Sequence, residues 1–352
     1  MRPCPAREGC LARDSASRWR AGTNSRPARR QATAISVQVS IFAPRTAGAV
    51  LLTAVVDKVM TKRRLDGVRD EFAFAAGNWL PRRTMTRFMH WLARRQERWL
   101  VQGLIWLWQH VGGLDLSESA DQQFATLNEC FTRRLRPGAR TLDPDQGAVL
   151  SPCDGIVMAC GRVCEGLVLQ AKRHAFSLDE LLNDVWLGAH YRSGSWVTLR
   201  LTPDMYHRFH APASGRILRV DWFPGDLWNV HPPAVRRVPR LYCRNERAVI
   251  RLETHHFGLI SLVPVAAIMV GSLRVRGIDP LLGPDSPGPA TLKPTDGTDF
   301  VERGQEMGWF EQGSTIIVLL PESIALDPDL HPGKRMLMGA RLGLSRCERL
   351  SR

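Results

Sequence analysis

The spacing of apolar and polar positions divides this 352-residue chain into regions of different period. Over residues 67–112 apolar side chains recur at helical intervals. Within 83–111, Trp91, Leu92, Trp99, Leu100, Leu104, Trp106 and Trp108 interleave with Arg87, Arg94, Arg95 and Arg98, and Asn78, Pro81 and Gly103 punctuate the run. This predicts amphipathic helices. Residues 121–136 predict one more helix, closed by Pro137 and Gly138. From 147 to 320 the period changes. Short apolar runs (GAVL, GIVMAC, SWVTLRL, GRILRV, AVIRLE, GLISLVPV, STIIVLL) are separated by Gly, Pro, Asp and Asn. Such runs predict β-strands. FSLDELLND (176–184) interrupts them as a short helix, with Ser177 as N-cap and Glu180 three residues on in a capping-box arrangement.

Two strand-initiating segments echo each other. SPCDGIV (151–157) and APASGRI (211–217) share a small residue, Pro, Gly and a final aliphatic, sixty residues apart. Pro followed by Gly before an apolar run is turn-to-strand chemistry, and two such turns suit a duplicated β-unit. Residues 280–300, rich in Pro, Gly and Asp, read as a loop of the kind that covers a site. The fold class is therefore α+β, with a β-rich domain preceded by amphipathic N-terminal helices.

Charge changes the picture once it is located. The formal charge is +14, but residues 1–66 carry 13 Lys/Arg against 4 Asp/Glu. Residues 67–352 total only +5, of which +4 lies in 67–100 on the Trp-bearing stretch. A nucleic-acid binder, which the total alone suggests, is thus disfavoured. Residues 1–66 read as a disordered or spurious basic extension. A transit peptide and a translation start at Met60 are the alternatives. No apolar run reaches the roughly 18–20 residues of a membrane-spanning helix; Asp57 and Lys58 end the run 46–56. Trp with Arg on amphipathic helices instead suits a membrane interface, and a helical hairpin packed on its own domain accounts for the same pattern. The 8 cysteines form no CxxC motif, which fits a reducing compartment. Cys160 and Cys164 read as small core residues rather than zinc ligands.

Three segments carry candidate chemistry. In Ser151-Pro152-Cys153-Asp154-Gly155, Asp154 suits a turn former whose carboxylate caps backbone amides. In Tyr206-His207-Arg208-Phe209-His210-Ala211-Pro212 two histidines follow a strand. As metal ligands His207 and His210 would need a third donor, and none is near in sequence. As a general base, an imidazole is matched to a hydroxyl nucleophile. In Glu306–Thr315 a Gly313-Ser314 pair precedes an apolar strand. Together they permit an Asp/His/Ser arrangement. The surroundings of Ser314 differ from GxSxG, so an α/β-hydrolase elbow is not supported.

The three segments, in this order, resemble the proenzyme of the phosphatidylserine decarboxylase family of bacterial and mitochondrial type. SPCDG resembles its SPxDG turn, YHRFHAP its YHRxHxP, and RGQEMGWFEQGSTIIVLLP its KGxEMGxFxxGSTVIxLF region. FPGDLWNV (223–230) and RNERAVI (244–250) also resemble family segments. The likeness covers roughly residues 75–330.

The chain then divides into the basic extension 1–66, which the likeness leaves outside, a membrane-associating helical region 67–140, and 141–352, which the resemblance makes a pyruvoyl-dependent decarboxylase domain with duplicated barrel-like β-units. The resemblance implies self-cleavage between Gly313 and Ser314 into a β chain 1–313 and an α chain 314–352. Ser314 then becomes a covalent pyruvoyl group, with no pyridoxal phosphate and no metal. His210 matches the base for Ser314, Asp154 its orienting acid, and His207 a residue of the decarboxylation step. The pyruvoyl carbonyl would form a Schiff base with the serine amine of phosphatidylserine in an anionic membrane, giving phosphatidylethanolamine and CO₂. The implied location is peripheral, on the cytoplasmic side of the cell membrane, or at the mitochondrial inner membrane in a eukaryote. A homodimer is left open, and nucleic acid is not a partner. Two departures stand out: Gln312, where relatives carry an apolar residue or Gly, and Ser214, where many have Asp or Asn. The rival readings are an uncleaved lipid-binding relative without decarboxylase activity and a metal hydrolase using His207 and His210.

Overall fold

The computed structural model describes residues 82–171, 174–268, 272–278, 282, 288–311 and 315–346. The basic extension 1–66, the first part (67–81) of the expected helical stretch, residues 280–281 and 283–287 of the expected loop 280–300, and the segment Gln312-Gly313-Ser314 lie outside the described residues; within that expected loop, Ala290–Leu292 form a strand instead, held by pairing to Val220–Trp222.

The predicted amphipathic stretch forms two helices, α1 (Arg82–Ala93) and α2 (Arg98–Gly112). α2 ends at Gly113, whose left-handed backbone lets its N–H reach the Trp108 carbonyl. One face of α2 points inward: Val101 and Ile105 pack with Leu114, Leu116, Phe124 and Cys130. Trp108 packs against the same cluster and stacks on Phe131 at 5.9 Å. The other face carries exposed aromatics, with Trp99 at 78% and Trp106 at 58% exposure. The inner face fits the reading of helices packed on their own domain.

The helix expected over 121–136 is only α3 (Leu127–Phe131). Thr126 caps it by accepting from the Glu129 N–H, and the Glu129 carboxylate accepts from the Ala125 N–H. It stops because residues 134–136 pair with 118–120: Ala120 N–H donates to Arg134 O and Arg136 N–H to Glu118 O. Tertiary pairing overrides the helical spacing there.

The strands follow as β1 (Ala148–Leu150), β2 (Gly155–Arg162), β3 (Leu167–Ala171) and β4 (His174–Ser177). Next come helices α4 (Leu178–Leu182) and α5 (Val185–His190), then β5 (Ser195–Arg200), β6 (Arg208–His210) and β7 (Gly215–Phe223). Helices α6 (Pro232–Arg237) and α7 (Leu241–Arg244) precede β8 (Arg247–Thr254), β9 (Gly258–Val265), β10 (Leu273–Val275), β11 (Ala290–Leu292) and β12 (Phe300–Val301). The chain then runs through β13 (Glu306–Phe310), β14 (Thr315–Leu320), β15 (Ile324–Leu326), β16 (Arg335–Met336) and β17 (Arg341–Ser345). Ser177 caps α4 as expected, although its hydroxyl takes the Asp179 N–H rather than that of Glu180. Cys164 is exposed rather than in the core.

A nine-stranded sheet runs β11-β7-β8-β9-β14-β5-β2-β16, with β12 also on β7. β14 sits between β9 and β5, and every one of its residues is buried. Its alternation serves two cores. Ile316, Val318 and Leu320 join one with Val197, Leu199 and Phe209; Ile317 and Leu319 join the other with Trp196, Val263 and the helical residues Leu181, Leu182 and Tyr242. A strand buried on both faces reads as a continuous apolar run, as STIIVLL does.

The sixty-residue echo is a structural duplication. Leu150 N–H donates to Pro212 O and His210 N–H to Pro152 O, two bonds that interchange when positions shift by sixty. β16 pairs with β2 through Met336 and Gly155, and β12 pairs with β7 through Val301 and Gly215. β1 pairs with β17, and β6 with β13. Each repeat thus contains the same four strands in the same pairing, the later pair displaced by thirty-five residues (Gly339 N–H to Ser151 O, Gly304 N–H to Ala211 O).

Candidate active site

Pairing of β6 with β13 places the two-histidine segment beside the chain that leads into 312–314. Glu306 lies opposite His210, Gly308 opposite Phe209 and Trp309 opposite Arg208. The approach is close: a Cβ on Gly308 would stand 2.0 Å from Arg274 O and 2.6 Å from the Phe209 ring, so only glycine fits. An Arg208–Glu306 ion pair at 2.6 Å fastens the two strands. Just past β13, Glu311 is buried, pairs at 3.0 Å with Arg94, the residue after α1, and lies within 4.0 Å of Arg274. Beyond the undescribed 312–314, Thr315 is locked in β14, opposite Arg200 on one side and Val265 on the other. Both flanks of the Gly313-Ser314 bond are therefore fixed.

His210 is buried on β6. Its Nδ1 lies 2.9 Å from Gly304 O and its Nε2 2.9 Å from Tyr206 Oη. A carbonyl only accepts, so Nδ1 carries the proton and Nε2 accepts from Tyr206. Burial lowers its pKa below the ordinary 6.5, opposed by the Gly304 bond and Glu306. His210 is thus a neutral imidazole with its basic nitrogen aimed at a hydroxyl.

His207 has no exposed surface. Its Nδ1 donates to Met205 O at 2.8 Å, the Phe131 ring packs on it at 3.9 Å, and its buried Nε2 has no partner. Burial, with Arg133 nearby, lowers its pKa to about 3. An unpartnered buried acceptor is costly and is a common mark of a reactive site.

Asp154 occupies a different position from the one expected. Its carboxylate takes Arg140 bidentately at 2.9 and 2.6 Å and the Met338 N–H at 2.8 Å. No hydrogen bond joins Asp154 to His210; the orienting contact on Nδ1 comes from the Gly304 carbonyl. The duplication supplies the reason. Ser214, the counterpart of Asp154, likewise accepts from the Arg303 N–H at 2.9 Å, so a side-chain oxygen at this turn clamps the neighbouring strand in both repeats. The turn brings Asp154 near His210 through the Pro152 carbonyl bond, and its charge raises the His210 pKa slightly against the effect of burial.

Tyr206, Gly304 and Arg140 complete the arrangement. Tyr206 stands inside the quoted YHRFHAP segment, but nothing in its spacing marks it as a partner of His210. A backbone carbonyl such as that of Gly304 leaves no trace in side-chain identity. Among the described residues, no three His, Cys, Asp or Glu side chains gather as metal ligands.

The described residues thus form a β-rich α+β protein in which two buried, neutral imidazoles lie beside β13. Comparison with known proteins assigns the family. The phosphatidylserine decarboxylase family model matches residues 127–344. The phosphatidylserine decarboxylase proenzyme of Halorhodospira halophila is 40% identical over 275 residues, covering 76% of this chain and 92% of its own length. That of Xanthomonas axonopodis pv. citri is 39% identical, covering 75% and 95%. That of an Anaeromyxobacter species is 41% identical, covering 66% and 83%. The chain belongs to the phosphatidylserine decarboxylase family and is an enzyme of that type.

Proposed function

We propose that this chain is a self-cleaving proenzyme whose mature form converts phosphatidylserine to phosphatidylethanolamine and CO₂. The observation that carries the reading is the β6–β13 ladder, which sets His207 and His210 beside the chain entering Gly313-Ser314.

In maturation, Ser314 Oγ adds to the Gly313 carbonyl as its proton passes to His210 Nε2. The C–N bond breaks, the nitrogen takes that proton back, and an ester remains. Loss of the Ser314 α-proton expels the Gly313 carboxylate. Water then replaces nitrogen, ammonia leaves, and a pyruvoyl group heads the α chain 314–352. The base must be neutral to accept the proton, and burial keeps His210 so at neutral pH. Tyr206 must yield Nε2 to Ser314, or pass the proton on.

The residues fit a group formed at Ser314. Thr315 is pinned between two strands, and His207 offers a bare, buried Nε2. A pyruvoyl group supplies an electron sink for the charge left when CO₂ departs. His207 Nε2 is suited to hold and deliver the proton that replaces CO₂ on the substrate carbon. β14 belongs to the α chain while β5 and β9 belong to the β chain, so their ladders keep the cut chains together.

The exposed Trp91, Trp99 and Trp106 beside Arg87, Arg95 and Arg98 support docking on an anionic bilayer, where the substrate resides. No helix among the described residues is long and apolar enough to cross a membrane. The reading is tested with Ser314→Ala: the variant should stay uncut and release no CO₂ from phosphatidylserine vesicles. CO₂ release at the wild-type rate would refute it.

A further inference from the structure

Among the described residues, the deeply buried arginines are each held by several hydrogen bonds, even where one Nε, as in Arg133, is left without a partner. Arg133 donates to Cys130, Asp204 and Met205 carbonyls; Arg208 to Thr132 O and Glu306; Arg247 to Leu181, Cys243 and Glu180 carbonyls. Arg200 closes β5, is partly buried, and has no hydrogen bond or ion pair among the described residues; its Nε is fully enclosed without a partner. Two hydroxyls nearby share that state. Thr315 lies directly opposite Arg200 in the ladder, so both side chains leave the same face of the sheet. Thr315 Oγ1 is buried and unpartnered. Tyr242 packs on this face with Ile317 and Trp196, senses the charge of Arg200, and its hydroxyl is buried and unpartnered.

A guanidinium with no hydrogen bond or ion pair among the described residues, its charge met only through space by Asp204, and two buried hydroxyls without partners there, beside the residue that follows Ser314, make a site suited to an anion. Resting on the maturation at Ser314 proposed above, we infer that Arg200, aided by Tyr242 and Thr315, holds the phosphodiester of the substrate headgroup. Only three atoms separate the serine nitrogen from phosphorus in phosphatidylserine, so a headgroup joined at position 314 puts its phosphate within a side chain's reach of position 315. The substrate carboxylate is the poorer candidate. An arginine on it would stabilise the charge that must disappear as CO₂ forms, binding the ground state more tightly than the transition state.

The test uses the mature enzyme and dioctanoyl phosphatidylserine. Arg200→Gln should cut itself like wild type and raise KM about ten- to hundredfold with little change in kcat, as loss of a charge-assisted contact made equally in both states requires. Arg200→Lys should fall between. An unchanged KM in a cut variant overturns the proposal and leaves the maturation reading intact; failure of wild type to cut overturns the maturation reading itself. Should Arg200→Gln fail to fold or cut, phenylglyoxal labelling of the wild-type enzyme, resolved by peptide mass, decides the matter. Glycerophosphoethanolamine, a phosphodiester without a carboxylate, should protect Arg200, and free serine should not. Protection by serine alone, or by neither, refutes the assignment.

Discussion

The two histidines differ in what their free nitrogens meet. His210 Nε2 faces Tyr206 Oη at 2.9 Å, whereas His207 Nε2 has no hydrogen-bond partner among the described residues. The Tyr206 bond stabilises neutral His210, because only the unprotonated nitrogen accepts it. Tyr206→Phe removes that preference, so the His210 pKa rises. A hydrogen bond of about 0.5–1.5 kcal/mol moves a pKa by up to roughly one unit. The pH at which self-cleavage reaches half its maximal rate should move upward by that amount, measured by following the uncut band with time. A downward shift would show that the hydroxyl acts otherwise. The candidate residues His207, His210, Asp154 and Ser314 were legible in advance as residue types, since they stand in recognisable segments. Their contacts were not. Arg140 occupies the Asp154 carboxylate from fourteen positions away, and a Gly304 carbonyl holds the His210 ring; nothing in local sequence encodes such long-range pairing.

At the scale of elements, α2 has two apolar faces with separate tasks. Ile105 is 5% exposed and belongs to the inner cluster, whereas Trp99 is 78% exposed. Ile105→Ala should cost roughly 2–5 kcal/mol in denaturant unfolding. Trp99→Ala should leave unfolding unchanged within about 0.5 kcal/mol and weaken cosedimentation with anionic vesicles several-fold. Equal effects of both substitutions on stability would contradict the division. Helical spacing in 83–111 foretold both helices, because α2 obtains its stability from an apolar stripe that periodicity reveals. The same logic overran in 121–136. There Arg133 turns inward to three backbone carbonyls and residues 118–120 claim 134–136 by strand-like pairing, neither of which hydrophobic period registers. Arg94, the residue after α1, also reaches Glu311, which ties the end of the first helix to the end of β13.

For the whole molecule, the duplication explains why the three motif segments meet. Each repeat crosses the other at its Pro turn, through Leu150 with Pro212 and His210 with Pro152, so Asp154 and His210 are neighbours by symmetry of the fold. The echo of SPCDGIV and APASGRI was legible; the pairing of β16 and β12 with their repeats was not, because strands of two residues carry almost no pattern. Enclosing neutral imidazoles has a consequence for stability. The folded His207 pKa of about 3 lies below the ordinary 6.5, so between those values the unfolded chain binds the extra proton. Stability is therefore complete above about pH 6.5 and falls with acidification toward pH 3, by about 1.4 kcal/mol per unit for this residue. His207→Gln should show an acid limb shallower by about that slope in denaturant midpoints measured against pH; an unchanged limb would mean that the imidazole is protonated in the fold.

The central claim is that the chain cuts itself and converts Ser314. Intact mass of the purified protein under denaturing conditions tests it most directly. The account predicts two polypeptides, one ending at Gly313 and one spanning 314–352, the latter lighter than its encoded mass by the loss of ammonia from Ser314 and without a free N-terminal amine. A single uncut chain, or a fragment 314–352 that still begins with serine, would contradict it.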